Sequence, residues 1–204
     1  MARAPVNNVG ETEAFVSRVL AYETPEFTDY QNRVTMLAEV LIPANWDSGM
    51  TVIYDGAVGS EQMRNESIPP TMQVDRYYDT YWLYPGANRL SKAATIAAMN
   101  SGVGIVNHLG HGFRYTMSLG DISLVNVDAD ALLNGERSFV LCMANCAAVA
   151  FDYNCLAERF LLNPGGGAAG IIGATRSVSA SLIVTYNRAF HRQLFNHDQV
   201  HLAD

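Results

Sequence analysis

The sequence predicts a three-layer α/β/α domain, a mostly parallel central sheet covered by helices on both faces. Two observations carry that expectation. Short runs of continuous apolar residues alternate with segments of helical period, and strands buried on both faces read in that continuous way. Gly, Pro, Asn and Asp punctuate the joins between them. The chain has 204 residues, 49% hydrophobic and 16% charged, which is enough for one well-packed core and short for two. No internal repeat or low-complexity tract interrupts it.

Taken in order, residues 11–22 read as a helix with Phe15, Val16, Val19 and Leu20 on one face and Asn8 as its cap. Residues 30–41 suit a helix, or a helix running into a strand. Pro43, Asn45, Asp47 and Gly49 mark a loop. Residues 50–54 read as a short strand ended by Asp55 and Gly56, residues 60–67 as a helix stopped by Pro69 and Pro70, and residues 73–78 as a strand. Pro85, Gly86 and Asn88 precede a helix over 89–100, whose Leu90, Ala93, Ala94, Ile96 and Ala97 can face a sheet. Residues 104–108 form a buried strand that runs into Gly110, His111 and Gly112. A short helix follows at 128–133, and a second apolar strand at 138–143 runs into Ala144, Asn145 and Cys146. A helix over 155–162, a glycine turn at 165–167, a strand at 170–173 and a helix over 181–195 close the chain. The glycine turn lacks the Lys and Ser or Thr of a phosphate loop.

The net charge of -7 argues against a nucleic-acid surface, which needs clustered Lys and Arg. No apolar run is long enough to span a bilayer, and the N-terminus does not read as a signal peptide. Three cysteines, Cys142, Cys146 and Cys155, are too few and too odd in number for a disulfide framework, and no His or Cys pair has zinc spacing. Taken singly, each cysteine reads first as a buried thiol.

Parallel sheets bind ligands beyond the carboxyl ends of their strands. His111 follows one apolar strand and Cys146 follows another. If the strands are neighbours, a thiol and an imidazole emerge at one edge, and a thiol beside an imidazole can become a nucleophile. The glycines flanking His111 leave room for a substrate carbonyl, and the N–H groups of Gly112 and Cys146 can bind an oxyanion. His108 reads as a packed histidine.

The segment Val106 to Gly112 (VNHLGHG) resembles the Val-Asn-Tyr-x-Gly-His-Gly strand and loop of the gingipain-type cysteine peptidases, peptidase family C25 of the caspase-like clan. Cys146 with Phe151-Asp152 and Leu156-Ala157-Glu158 resembles their nucleophile segment, and residues 167–176 (GAAGIIGATR) are similar to the next strand. Arg3 to Val6, with residues 11–23, resembles the opening of the family's catalytic subdomain. The motifs occur in order over nearly the whole chain. In two places the chain departs from the family. Ala147 to Ala150 replace the usual Asn or Gly, which predicts an altered loop beside the oxyanion hole, and His108 replaces a common Tyr.

The resemblance implies a caspase-like fold and a cysteine-type endopeptidase working through a thioester acyl-enzyme. His111 matches the general base, Cys146 the nucleophile by its spacing to Phe151, and Gly112 and Cys146 the oxyanion donors. Asp55 is the nearest match to the acid that assists the histidine, with Glu61 its rival. Substrates would be peptides or proteins, with no nucleic acid or membrane partner and an oligomeric state left open. No cofactor is required. Calcium as a structural ion is allowed by Asp128 and Asp130. The setting implied is extracellular or at the cell surface. Asp121, Glu61 and Asp152 are candidates for an acidic specificity pocket but read first as ordinary carboxylates. Trp46 and Trp82 suit a subsite or the core, and Glu158 is expected to pair with Arg159 or Arg176 or to favour the helix dipole. Residues 1–204 read as one catalytic subdomain of a longer or reduced protein. Two other readings compete: a non-catalytic partner-binding domain of the same fold, and a small-ligand domain, which the missing anion cradle disfavours.

Overall fold

The computed structural model describes residues 3–120 and 122–196. In chain order the elements are α1 (Val9–Glu23), β1 (Arg33–Ala38), β2 (Val40–Ile42), β3 (Tyr54–Asp55), α2 (Gly56–Ser67), β4 (Gln73–Tyr78), a 3-10 turn (Tyr81–Leu83), β5 (Asn88–Arg89), α3 (Lys92–Ser101) and β6 (Ile105–Leu109). The remainder are β7 (Gly112–Phe113), β8 (Thr116–Met117), β9 (Leu124–Val125), α4 (Asn126–Asp130), β10 (Phe139–Ala144), α5 (Leu156–Leu162), β11 (Ala168–Gly173) and α6 (Ala180–Asn196).

Six strands form one sheet in the order β11-β10-β6-β1-β4-β5, and every pairing is parallel. The α/β expectation holds. The alternating pleat sends side chains to two cores. Val34, Met36 and Ala38 of β1 face α2, meeting Ala57 and Met63. Leu37, Val106, Leu141 and Met143 face the other way, against Met99 of α3, Ala129 of α4 and Phe160 of α5. β6 is buried at all five positions and β10 at all six, so these two neighbours are the centre of the domain.

Four local expectations are corrected. Within residues 30–41 the chain is strand, not helix: β1 over Arg33–Ala38 and the start of β2 at Val40. An apolar run of that length carries no decisive period, and β1 is buried from Val34 to Ala38 because it lies between β4 and β6. The strand expected at 50–54 shrinks to Tyr54–Asp55. The helix expected over 89–100 starts at Lys92, because the Ser91 hydroxyl caps the Ala94 N–H while Asn88–Arg89 pairs with β4. It buries Thr95, Ala98 and Met99; of the face expected, Leu90 and Ile96 pack in the core while Ala93 and Ala97 are exposed. α1 is capped by Asn8 as expected, but Val16 and Leu20 are exposed. Instead Arg18 reaches the last carbonyls of α5, at Phe160, Leu161 and Asn163, so a polar contact takes part in docking this helix.

Candidate active site

β6 and β10 pair in register, with Leu109 opposite Ala144, so the residues that follow them leave the sheet side by side. Past that pair the Gly110 N–H donates to Ala144 O at 3.2 Å. A Cβ on Gly112 would lie 2.7 Å from the Asn145 side chain. The loop bearing His111 is therefore pressed directly against the residue before Cys146, and Gly112 permits the approach.

His111 is gripped at backbone and ring. Its N–H donates to Glu39 Oε2 at 2.7 Å, and Glu39 Oε1 accepts the Gly120 N–H at 3.0 Å. Glu39 is 3% exposed. A Cβ on Gly110 would come within 2.3 Å of Glu39 Oε2, so only glycine lets the carboxylate in. Burial raises the Glu39 carboxyl, but the contact with His108 and the His111 N–H outweigh it and hold it below the ordinary carboxylate range. The His111 ring places Nε2 3.0 Å from Val40 O. A carbonyl only accepts, so Nε2 carries the proton and Nδ1 is left as the basic nitrogen.

His108 is fully buried, as a packed histidine should be. Its Nε2 lies 2.8 Å from Ser118 O, and Asn145 Nδ2 lies 3.2 Å from its Nδ1. With Glu39 Oε2 3.6 Å away, His108 links the His111 support to the Cys146 segment. Asn145 Oδ1 is buried without a partner among the described residues.

Cys146 is half-buried. Its thiol donates to Val178 O at 3.4 Å and lies 3.5 Å from the Val178 N–H. Flanking amides are committed, Asn145 N–H to Met143 O and Ala147 N–H to Arg176 O, whereas the Cys146 N–H has no acceptor among the described residues. Ala147 takes φ +52°, a left-handed conformation that Gly or Asn adopts more easily. The alanine run after Cys146 thus opens on a strained turn. Burial pushes the Cys142 thiol up to about 12 and raises Cys155 as well, so neither is a ready nucleophile.

Asp55 is placed elsewhere than expected. It caps α2 through the Ala57 N–H and accepts hydroxyl bonds from Thr80 at 2.8 Å and Tyr84 at 3.2 Å. The carboxylate that holds the His111 loop is Glu39, which sequence reasoning missed. Glu61, the rival expected for Asp55, is tied to Arg64, Arg76 and Tyr78, and Asp152 pairs with Arg176. Asp121 lies outside the described residues. The pairings expected for Glu158 do not form, since Arg159 goes to Asp130 and Arg176 to Asp152. Asp128 takes the Val125 N–H and Lys92. Asp128 and Asp130 are thus both engaged by cations, and no cluster of three or more His, Cys, Asp or Glu occurs among the described residues. Asp79, near the end of β4, accepts the Val40 N–H at 3.0 Å. Burial, with the charges of Glu39 and Asp55, raises its carboxyl to about 7. No helix among the described residues is long and apolar enough to cross a membrane.

The profile of Peptidase family C25 matches residues 1–204. A structure titled as the complex of the pro- and mature domains of RgpB from Porphyromonas gingivalis is similar, with TM-score 0.70 and 18% identity over 93% of this chain and 44% of that one. A structure of the Arg-specific cysteine proteinase gingipain R (RgpB) gives TM-score 0.70 and 17% identity over 93% and 43%. The chain therefore spans less than half the length of these solved chains. A search of curated proteins finds no match.

Proposed function

The chain belongs to peptidase family C25, and from that premise we propose that it is a cysteine peptidase that cleaves peptide bonds through Cys146 and His111. The observation that carries the reading is the junction at the ends of β6 and β10, where Gly110 bonds Ala144 and Gly112 abuts Asn145. His111 Nδ1 takes the thiol proton while Nε2–H stays on Val40 O. The Cys146 thiolate attacks the scissile carbonyl, and the N–H groups of Cys146 and Gly112 stabilise the oxyanion, each such donor contributing about 2.7–4 kcal/mol. His111 returns the proton to the leaving amine, and water hydrolyses the thioester. Glu39 acts by holding the His111 backbone. The substrates are proteins or peptides, and the extracellular or cell-surface setting belongs to the same proposal.

One observation favours the competing reading of a non-catalytic domain: the thiol is bonded to Val178, not to His111. Hydrolysis of a fluorophore-quenched casein separates the two. The proposal expects turnover by the protein and none by Cys146→Ala with an unchanged circular dichroism spectrum. Equal turnover by both would exclude Cys146 as the nucleophile.

A further inference from the structure

The two tryptophans of the chain, Trp46 and Trp82, take no part in the chemistry above. They lie on the loop between β2 and β3 and on the 3-10 turn after β4. Their rings stack, with centroids 6.1 Å apart and planes 24° apart, and Tyr81 sets an edge against Trp82 at 5.4 Å. The stack is braced from its own loops. Trp46 Nε1 donates to Met50 O at 3.0 Å, and Asp55 joins the two loops through Thr80 and Tyr84. Its outer side is bare: Trp82 is 53% exposed, and Leu83 and Ile53 on the same loops are more exposed still. Apolar side chains grouped in water in this way mark a binding surface.

The place of the stack says what binds. Both loops emerge at the carboxyl-end edge of the sheet, the edge that carries His111 and Cys146 and at which parallel sheets receive ligands. β2, which leads into the Trp46 loop, also supplies Val40, whose carbonyl holds the His111 ring. The loop that bears Trp46 and the carbonyl that holds the base thus start from one strand. A ligand whose reacting bond lies at His111 and whose chain continues over β2 reaches the stack.

We propose that the Trp46–Trp82 stack is a substrate subsite that takes an apolar side chain, aromatic or branched aliphatic, of a peptide lying across the strand ends. The proposal rests on the peptidase reading above and adds a preference to it. Two braced indoles offer a large apolar face with little side-chain entropy left to lose.

The test is equilibrium binding to Cys146→Ala, which holds peptide without cleaving it. Fluorescein-labelled peptides that differ at one scanned position, Phe or Leu against Ser, are titrated by anisotropy. Emission from the two tryptophans reports contact at the stack. At one position the apolar residue should tighten binding about tenfold and shift the emission; the preference should drop below about threefold when Trp82→Ala is added and persist with Trp82→Phe. Absence of a preference at every position, or a preference unchanged by both Trp46→Ala and Trp82→Ala, overturns the subsite. Fast alkylation of Cys146 in the unmutated protein alongside no preference removes the subsite and leaves the peptidase reading standing. A preference in a protein whose Cys146 is inert does the reverse.

Discussion

The loop that carries His111 is held by a buried carboxylate, a strand carbonyl and a packed histidine, whereas the thiol of Cys146 is held, among the described residues, only by the backbone of Val178. The base is fixed before any substrate arrives. The nucleophile sits on a half-exposed turn next to a strained alanine and has its thiol turned to a neighbouring strand's exit. In the proposed mechanism, then, the histidine side supplies rigidity and the cysteine side supplies the motion needed for attack. Mutations on the two sides should differ accordingly, with large stability effects near His111 and small ones near Cys146.

Glu39→Ala should show the largest effect. It removes the buried carboxylate that accepts the part-buried His111 and Gly120 N–H groups, at a cost of about 3–5 kcal/mol in all. Glu39→Gln keeps one acceptor and should lose less. Urea unfolding measures both, and a Glu39→Ala protein within about 1 kcal/mol of the parent would contradict this account of the loop. The sign of the pH effect is also set. The Glu39 carboxyl is held down in the folded state, so its contribution is present above its ordinary range near 4.5 and is lost as pH falls below it.

Asp79 behaves in the opposite sense. Its carboxyl rises from 3.8 to about 7 on folding, so the unfolded chain releases the proton first. The Asp79 contribution to stability is highest below 3.8, falls as pH rises to about 7 and levels off above. The slope is at most about 1.4 kcal/mol per pH unit. Asp79→Asn, which can still accept the Val40 N–H, should be more stable than the parent at pH 8 and equal to it near pH 4. A gap that does not change with pH would show that the Asp79 charge is not the cause.

The smallest effect belongs to the cysteine side. Ala147→Gly relieves a positive φ but adds freedom to the unfolded chain, so the net gain should stay below about 1 kcal/mol. Thermal unfolding reads it, and a loss of stability would mean that the Ala147 methyl packs more than its turn strains.

This contrast also explains what the sequence could reveal. β6 and β10 were legible because apolar runs bounded by turn residues are a local signal, and His111 and Cys146 follow them closely. Glu39 was not legible. It interrupts an apolar run that fits helix or strand, and the groups that justify burying a carboxylate lie 72 and 81 residues away. Asp55 drew attention because Asp-Gly ends a strand, yet its partners Thr80 and Tyr84 sit on a loop that no local pattern connects to it. The Trp46–Trp82 stack is non-local in the same way. Chemistry carried on strand ends could be read from the chain, and the support behind it required the fold.

The central claim is that Cys146 and His111 work as a pair. Alkylation by iodoacetamide across pH, with peptide mapping to separate Cys142, Cys146 and Cys155, tests it most directly. The account predicts that Cys146 alone labels fast at pH 6 and that His111→Ala abolishes the advantage, while the buried Cys142 and Cys155 stay slow in both proteins. Slow labelling of all three in a folded sample, or fast labelling of Cys146 that His111→Ala leaves untouched, would contradict it.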